Sequence, residues 1–214
     1  MSIDNGQKIR CGQVIPVKGG IFKQMWQKPH AAEADYLLDD QATDSASITT
    51  VSDFDEDIDF ARNVTVTPGG TTNDVKAGNV TIVGTDIRGN AITETIAIIA
   101  NQSTTSTGSY AFKTITSISF IAQDDDGATY DVGIGDKLGL EKVLQMNSIG
   151  GNAAVGTGTT ISNLTRESTA PTVAVDTQSI HKNTVLFHTA LAATKTYAVY
   201  MITEDPCDPH QSEV

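Results

Sequence analysis

The chain has 214 residues and a formal net charge of −12, with 39% hydrophobic and only 6% aromatic residues. This length suffices for one domain of ordinary size, and so acidic a chain repels nucleic acid and anionic membranes. We therefore expect neither a nucleic-acid nor a membrane partner, and a core built from Val, Ile and Ala rather than from aromatic rings.

The charge is unevenly distributed along the chain. Residues 1–28 hold five basic residues and one acid, whereas the remainder holds nine basic residues and 25 acids. A basic arm of net +4 thus precedes an acidic body of net −16. The arm is either a solvated tail or a segment that docks on an acidic partner surface or a neighbouring subunit. The candidate contact residues are Lys8, Arg10, Lys18, Lys23, Trp26 and Lys28.

The arm carries the single tryptophan and one of two cysteines. Trp26 is either an interface anchor, since Trp is enriched at binding hot spots, or packs on its own domain. Cys11 and Cys207 lie near opposite ends of the chain, and we interpret both as reduced thiols. The first residues lack the apolar run of a signal peptide, and no stretch reaches the length that crosses a bilayer, so we expect synthesis in a cytoplasm.

Residues 1–40 are predicted to form an extended arm with one short helix. Ala34, Leu37 and Leu38 would share a face of a helix over residues 30–40, and an extended segment is the alternative. Residues 41–60 then lead through five acids within residues 53–59. Apolar residues are spaced to tuck beneath these acids, namely Phe54, Ile58 and Phe60.

The strongest β pattern begins at Ala61 and belongs to a predicted sandwich core over residues 41–143. Val64 and Val66 alternate with threonines as far as a turn at residues 68–70. Residues 79–99 predict a hairpin with Gly89 and Asn90 as its two loop residues. In that register Val83 opposes Ile96, and apolar residues pair; a loop at residues 88–89 would instead place Val83 opposite Glu94.

The remaining strands are less regular. Alternation fails at residues 111–122, which predicts either a β-bulge near residues 116–117 or burial of both faces. Residues 123–140 predict a turn, a short strand, a second turn and an apolar anchor at Leu138 and Leu140. Residues 144–168 predict a Gly/Thr-rich loop.

A further β segment is predicted over residues 169–204, with short strands at 172–176, 184–187 and 196–203, and a loose tail at 205–214. The segment either completes the sandwich or forms a small second β domain. The strand at 196–203 is apolar on both faces, which is typical of a central strand or an oligomer interface. The fold class expected is mainly β, an antiparallel β-sandwich or barrel-like domain with an extended N-terminal arm and little helix.

The sequence contains no motif for catalysis or cofactor binding. A P-loop, a dinucleotide fingerprint and a GxSxG nucleophile motif are all absent, so we expect a non-enzymatic protein without a cofactor. The four histidines have no metal-ligand spacing. Asp124, Asp125, Asp126 and Asp131 are weak calcium candidates, because consecutive acids depart from the alternate spacing of a calcium loop and an Asp-Gly turn needs no ion.

Four runs within residues 60–143 carry a resemblance: FARNVTVTP, NVTIVGTDIRGNAITETIAI, AFKTITSISF and VGIGDKLGL. This segment resembles one seen in structural proteins of tailed bacteriophages, mostly head decoration, head-fibre or other minor virion proteins. The resemblance implies a non-enzymatic protein that cements the outer capsid surface of the virion by binding the major capsid protein, with a homotrimer favoured. It also implies synthesis in the host bacterial cytoplasm.

Two other functions stay open at this point. A tail tube or tail fibre protein is the nearest alternative. A receptor- or carbohydrate-binding β-sandwich module is an alternative of another class, although no cluster of aromatic residues marks a binding platform. If the basic arm contacts the capsid, deleting it should weaken attachment and leave the body folded.

Overall fold

The computed structural model describes residues 8–9, 13–14, 21–142, 171–174, 176 and 179–202. The described chain is mainly β, as predicted, and its only helical elements are 3-10 turns at Thr72–Asp74 and Ile180–Lys182. No helix among these residues has the length and apolarity needed to cross a membrane. The strands are β1 (Lys8–Ile9), β2 (Gln13–Val14), β3 (Ile21–Gln27), β4 (Glu33–Ala42), β5 (Thr49–Val51), β6 (Arg62–Gly70), β7 (Gly78–Thr85), β8 (Ala91–Ile98), β9 (Ser106–Thr107), β10 (Thr114–Phe120), β11 (Ala128–Gly139), β12 (Thr172–Ala174), β13 (Thr184–Leu186) and β14 (Thr196–Ile202).

Two antiparallel sheets face each other across one apolar core. The first sheet has the order β5-β10-β7-β8, and the second has the order β12-β13-β11-β6-β9, with β4 also paired to β11. Val64 and Val66 from the second sheet pack with Ile82, Ile118 and many other buried residues of the first sheet. Their threonine neighbours in β6 are half-buried on the other face, so the predicted alternation is confirmed. The arrangement is a β-sandwich.

The last β segment extends the second sheet and builds a second apolar core. β13 pairs with the end of β11, and β12 pairs with β13. Among the described strands β14 pairs with β3 alone, in a register that joins Ile202 to Ile21. This two-stranded ribbon covers a second core with Trp26, Tyr197 and Val199. Residues 21–42 therefore belong to the folded body, and "the arm" below means residues 1–20.

The helix predicted over residues 30–40 is wrong, because residues 33–42 form strand β4. Leu37 and Leu38 are both buried although adjacent, since β4 bulges twice against β11. Asp40 takes a positive φ of 47° in the same irregular strand. The bulges disturb the strict alternation of a strand and leave a spacing that resembles one face of a helix.

The β7–β8 hairpin forms, but both registers considered from the sequence are wrong. Thr85 pairs with Ala91, so five residues make the loop rather than two. The Asp86 carboxylate organises this loop by accepting hydrogen bonds from the backbone N–H groups of Arg88 and Asn90 at 2.8 and 2.9 Å. Gly89 supplies the positive φ of 83° that the turn requires. An Asx-type loop therefore replaces the predicted Gly-Asn turn.

Two further turns predicted from glycines are also wrong. β6 continues through residues 68–70 as far as Gly70. β11 is one strand of 12 residues where a turn was expected after a short strand. Its residues 135–137 form a wide bulge opposite Asn63, because Ile134 pairs with Val64 and Leu138 pairs with Arg62. The bulge expected in β10 is confirmed between Ile115 and Ser117, and the Leu138 anchor is fully buried.

Candidate interaction surfaces

The predicted contact residues of the basic segment fall into three groups. Lys23 and Lys28 are exposed on and just after β3. Trp26 is only 2% exposed, and its ring meets that of Phe187 edge-on at 5.9 Å. Trp26 is therefore a core residue, and the partner-anchor interpretation is wrong for it. The side chains of Lys8, Arg10 and Lys18 lie outside the described residues.

The calcium candidates are each engaged separately. Asp126 accepts hydrogen bonds from the Ser45 hydroxyl and backbone N–H, which lower its pKa. Asp131 accepts from the backbone N–H of Asp40 at 2.9 Å, and Asp124 lies 3.9 Å from the Lys76 ammonium. Among the described residues no three His, Cys, Asp or Glu side chains are grouped as metal ligands would be. The structure therefore does not assemble these acids, including Asp125, into one site.

The histidines likewise occupy unrelated places. The His181 ring lies against Tyr110 with centroids 4.4 Å apart. Burial, and then the neighbouring Lys182, lower the pKa of His181 below its ordinary value. His188 is exposed, and His30 lies 3.7 Å from Glu33. Cys11, Cys207 and His210 lie outside the described residues.

Exposed carboxylates are concentrated on β4 and on the loop of residues 52–61 that follows β5. We call these carboxylates the acidic face and that loop the acidic loop. Partial desolvation, and then repulsion from nearby aspartates, raise the pKa of Asp39 above its ordinary value. These aspartates are Asp35 and Asp40 on β4, Asp55 in the acidic loop and Asp131 on β11. The three segments therefore contribute to one negative surface around Asp39. Its exposed members are Glu33, Asp35, Asp39, Asp40, Asp53, Asp55, Glu56 and Asp57.

A buried arginine holds this acidic loop against the sandwich. Arg62 is fully buried at the start of β6. Its guanidinium donates to the carbonyl of Gly135, to the carbonyl of His30 at 3.1 Å and to the Asp59 carboxylate at 3.2 Å. Asn63 completes the arrangement by accepting from the backbone N–H of Lys137 at 2.9 Å. Side chains thus replace the backbone pairing that the bulge in β11 removes.

A cleft of about 210 Å³, lined by four apolar and four polar residues, opens between the acidic loop and β10. We call it the acidic cleft. Its floor is formed by the side chains of Leu37, Phe54, Ile58 and Ile115, which also pack against the first core. Its rim carries Glu56, Asp57 and Lys113. The predicted packing of Phe54 and Ile58 beneath the acids is confirmed.

The acidic cleft is built from fixed backbone on both sides. On the loop side, the Asp55 N–H donates to the Leu37 carbonyl at 3.1 Å, and the Tyr36 hydroxyl donates to the Asp57 carbonyl at 3.1 Å. On the strand side lies the bulge of β10. The Lys113 ammonium donates to the carbonyl of Asp59 at 3.1 Å. Lys113 is therefore bound to the acidic loop, and with two acids and one lysine the opening of the cleft has a net negative charge.

A second groove, of about 420 Å³, lies on the outer face of β11, β12 and β13. Leu186 and Ala174 contribute apolar surface, and Lys137 and Lys182 contribute positive charge. The Lys182 ammonium already lies 3.7 Å from the Asp176 carboxylate. This groove has two basic residues and one acid in its lining, where the acidic cleft has two acids and one lysine.

Sequence reasoning missed the buried polar residues that hold these surfaces in place. Glu94, in β8, accepts hydrogen bonds from the backbone and hydroxyl of Ser109 at 2.6 and 2.8 Å. Gln24, in β3, donates to the Gly139 carbonyl and accepts from Glu141, each at 2.9 Å. The sequence gives one sign of such buried polar residues, the Arg-Asn pair at 62–63, which begins an otherwise apolar and threonine-rich strand.

Comparison with known proteins gives no relative. No family model matches the chain, and neither the curated proteins nor the solved structures include a significant match. Function must therefore be inferred from the residues and surfaces of this chain.

Proposed function

We propose that the chain is a non-enzymatic structural protein of a tailed-phage virion that decorates the outer capsid by binding the major capsid protein. The observation that carries the proposal is the resemblance of residues 60–143 to such proteins. Those residues include six consecutive strands, β6 to β11, which supply most of the first core. The resembling segment is thus the folding unit of the sandwich rather than a short motif.

The surface chemistry supports an assembly role. A body of net −14 over residues 21–214 keeps particles apart in solution when it faces outward. The buried polar groups described above bind backbone carbonyls and N–H groups, which makes them structural. Three of the four strands that end the two sheets, β5, β9 and β12, are only two or three residues long, and short edge strands limit unwanted strand pairing, as a protein present in many copies on one particle must.

The deciding experiment is cosedimentation with bare capsids of the same particle. We expect the purified chain to be a monomer or small oligomer, with a trimer favoured, and to comigrate with capsids at a fixed stoichiometry. Rings or tubes that form without capsids would instead indicate a tail protein. Binding to a glycan array with no affinity for capsids would indicate a receptor- or carbohydrate-binding module.

A further inference from the structure

The acidic cleft combines two features that together specify an occupant. Its floor is apolar and opens to solvent, while its rim is dominated by Glu56 and Asp57, with the rest of the acidic face beside it. An apolar cavity of ~150 Å³ accommodates a benzene ring, so about 210 Å³ has room for one large aliphatic or aromatic side chain. The fitting ligand is an apolar side chain flanked by cations.

We propose that the acidic cleft receives the basic arm, residues 1–20, of a second copy of this chain. The arm contains this pattern at Lys8-Ile9-Arg10, where one aliphatic residue lies between two basic ones. Asp4 is its only acid, and Lys18 adds a third positive charge. The arm is therefore complementary to the acidic cleft in both polarity and charge.

The sheet pairing does not attach the arm to its own body. β1 and β2 pair with each other, and neither pairs with another strand in the described part of the chain. The arm precedes Ile21, at the end of the β3–β14 ribbon, so none of the described strands of the sandwich holds it in place.

The charge balance of the whole chain gives this association a distinct salt dependence. Residues 21–214 hold 11 basic and 25 acidic residues, a net charge of −14, so two bodies repel each other and association depends on the local attraction between the arm's basic residues and the acids of the cleft. Exposed ion pairs weaken as the Debye length falls from ~10 Å at 0.1 M salt to ~3 Å at 1 M. Self-association through the arms should therefore be strong at low salt and be lost at high salt.

The test is sedimentation velocity on the full chain, compared with a form that lacks residues 1–20, at about 50 mM and about 500 mM salt. We expect the intact chain to associate at low salt and dissociate at high salt, and the arm-deleted chain to stay monomeric at both. Circular dichroism and Trp26 fluorescence would verify that the deletion leaves the body folded. An intact chain that is monomeric at low salt, or an arm-deleted chain that associates equally well, would overturn the proposal.

Charge reversals localise the contact. Glu56→Lys with Asp57→Lys, or Lys8→Glu with Arg10→Glu, should each weaken association at least about tenfold, and mixing the two variants should restore it. The matched control is Asp124→Lys with Asp125→Lys, which makes the same charge change on exposed residues of another loop. An equal effect of the control would reduce the interaction to general charge attraction and contradict a docking site.

Isotope labelling distinguishes an arm that docks on another copy from an arm that docks on its own body. An equal mixture of ¹⁴N and ¹⁵N chains would be treated with a zero-length carbodiimide cross-linker, which joins lysines to adjacent carboxylates. We expect peptides of mixed isotope that link Lys8 to Glu56 or Asp57. Links of a single isotope only would show that the arm folds back on its own body.

The inference goes beyond decoration of a capsid, and its assays contain no capsid. A chain that associates through its arms but ignores capsids would keep the inference and overturn the proposed function. A chain that binds capsids but does not associate through its arms would support the proposed function and overturn the inference. If both hold, deleting the arm should also weaken capsid attachment, because an assembly of several copies binds with higher avidity than one copy.

Discussion

Replacing Arg62 by methionine removes the guanidinium that fills the bulge of β11 while keeping an unbranched side chain of similar length. Three acceptors lose their donor: the carbonyls of Gly135 and His30 and the carboxylate of Asp59. Residue Gly135 is buried, whereas His30 is exposed and the Asp59 side chain keeps 19% of its surface in water. The main cost therefore comes from one buried carbonyl without a partner.

The expected loss in unfolding free energy follows from these exposures. An unsatisfied buried acceptor costs ~1–3 kcal/mol, and breaking a fully buried ion pair costs ~3–5 kcal/mol. Because water can reach two of the three acceptors, we expect about 3 kcal/mol for Arg62→Met. For a chain of this length each kcal/mol lowers Tm by ~2–4 °C, so Tm should fall by about 6–12 °C.

The assay is urea unfolding followed in parallel by far-ultraviolet circular dichroism and by Trp26 fluorescence. The first reports the sheets, and the second reports the core beneath the β3–β14 ribbon, since Trp26 is the single tryptophan. Arg88→Met, in the exposed hairpin loop, is the matched control and should change stability by no more than ~0.5 kcal/mol. A loss below about 1 kcal/mol for Arg62→Met would refute the idea that Arg62 holds the bulge.

Three other predictions follow from burial and close contacts. Trp26→Ala should cost ~3–5 kcal/mol of unfolding free energy. Met25→Ala should cost far less, because Met25, at the preceding position, is 43% exposed; equal losses in urea unfolding would contradict the core assignment. Burial raises the pKa of Tyr130 to about 12, so the stability that its neutral hydroxyl provides is complete below pH ~10 and is lost as pH rises through about 12. Ultraviolet titration should show a tyrosinate that forms near pH 12 and is absent in Tyr130→Phe. Gly133→Ala would bring its methyl carbon into a clash with the backbone oxygen of Glu33 in β4, so its midpoint urea concentration should fall further than that of Gly89→Ala. The added methyl at Gly89 meets nothing within 4 Å, and only the positive φ is unfavourable for it. The reverse order would show that β4 can move away.

The sequence predicted strands well wherever alternation was regular. The apolar alternation predicted for β6 is confirmed, although the strand continues past the expected turn to Gly70. β12, β13 and β14 start at residues 172, 184 and 196, as predicted. The same reasoning failed at β4, where bulges bury both Leu37 and Leu38. A bulge shifts the period by one residue, and a single sequence offers no direct sign of which residue is extra.

Glycine proved an unreliable marker of turns in this chain. Gly133 and Gly135 lie inside β11, where other parts of the chain approach the backbone too closely for a side chain. The β7–β8 loop is instead defined by Asp86, whose role depends on hydrogen bonds to N–H groups two and four residues later. Such local bonds change the loop length, and with it the register of the whole hairpin.

The interaction surfaces could be predicted only in part. The acids at residues 53–59 and the apolar residues between them are plain in the sequence. Their proximity to β10, which creates the acidic cleft, depends on a contact between segments far apart in the chain. Trp26 shows the converse: an isolated aromatic on a polar segment is equally compatible with a core and an interface until its partner strand, β14, is known.

The pairing of β3 with β14 also fixes an order of events during synthesis. All residues of the first core lie between Leu37 and Ile134, so the sandwich core can close while the ribosome is still translating. The second core needs Tyr197 and Val199, which appear several seconds later at ~5–20 residues per second. During that interval β3 lacks the strand with which it pairs in the finished fold, and Trp26 lacks the two β14 residues that complete its core.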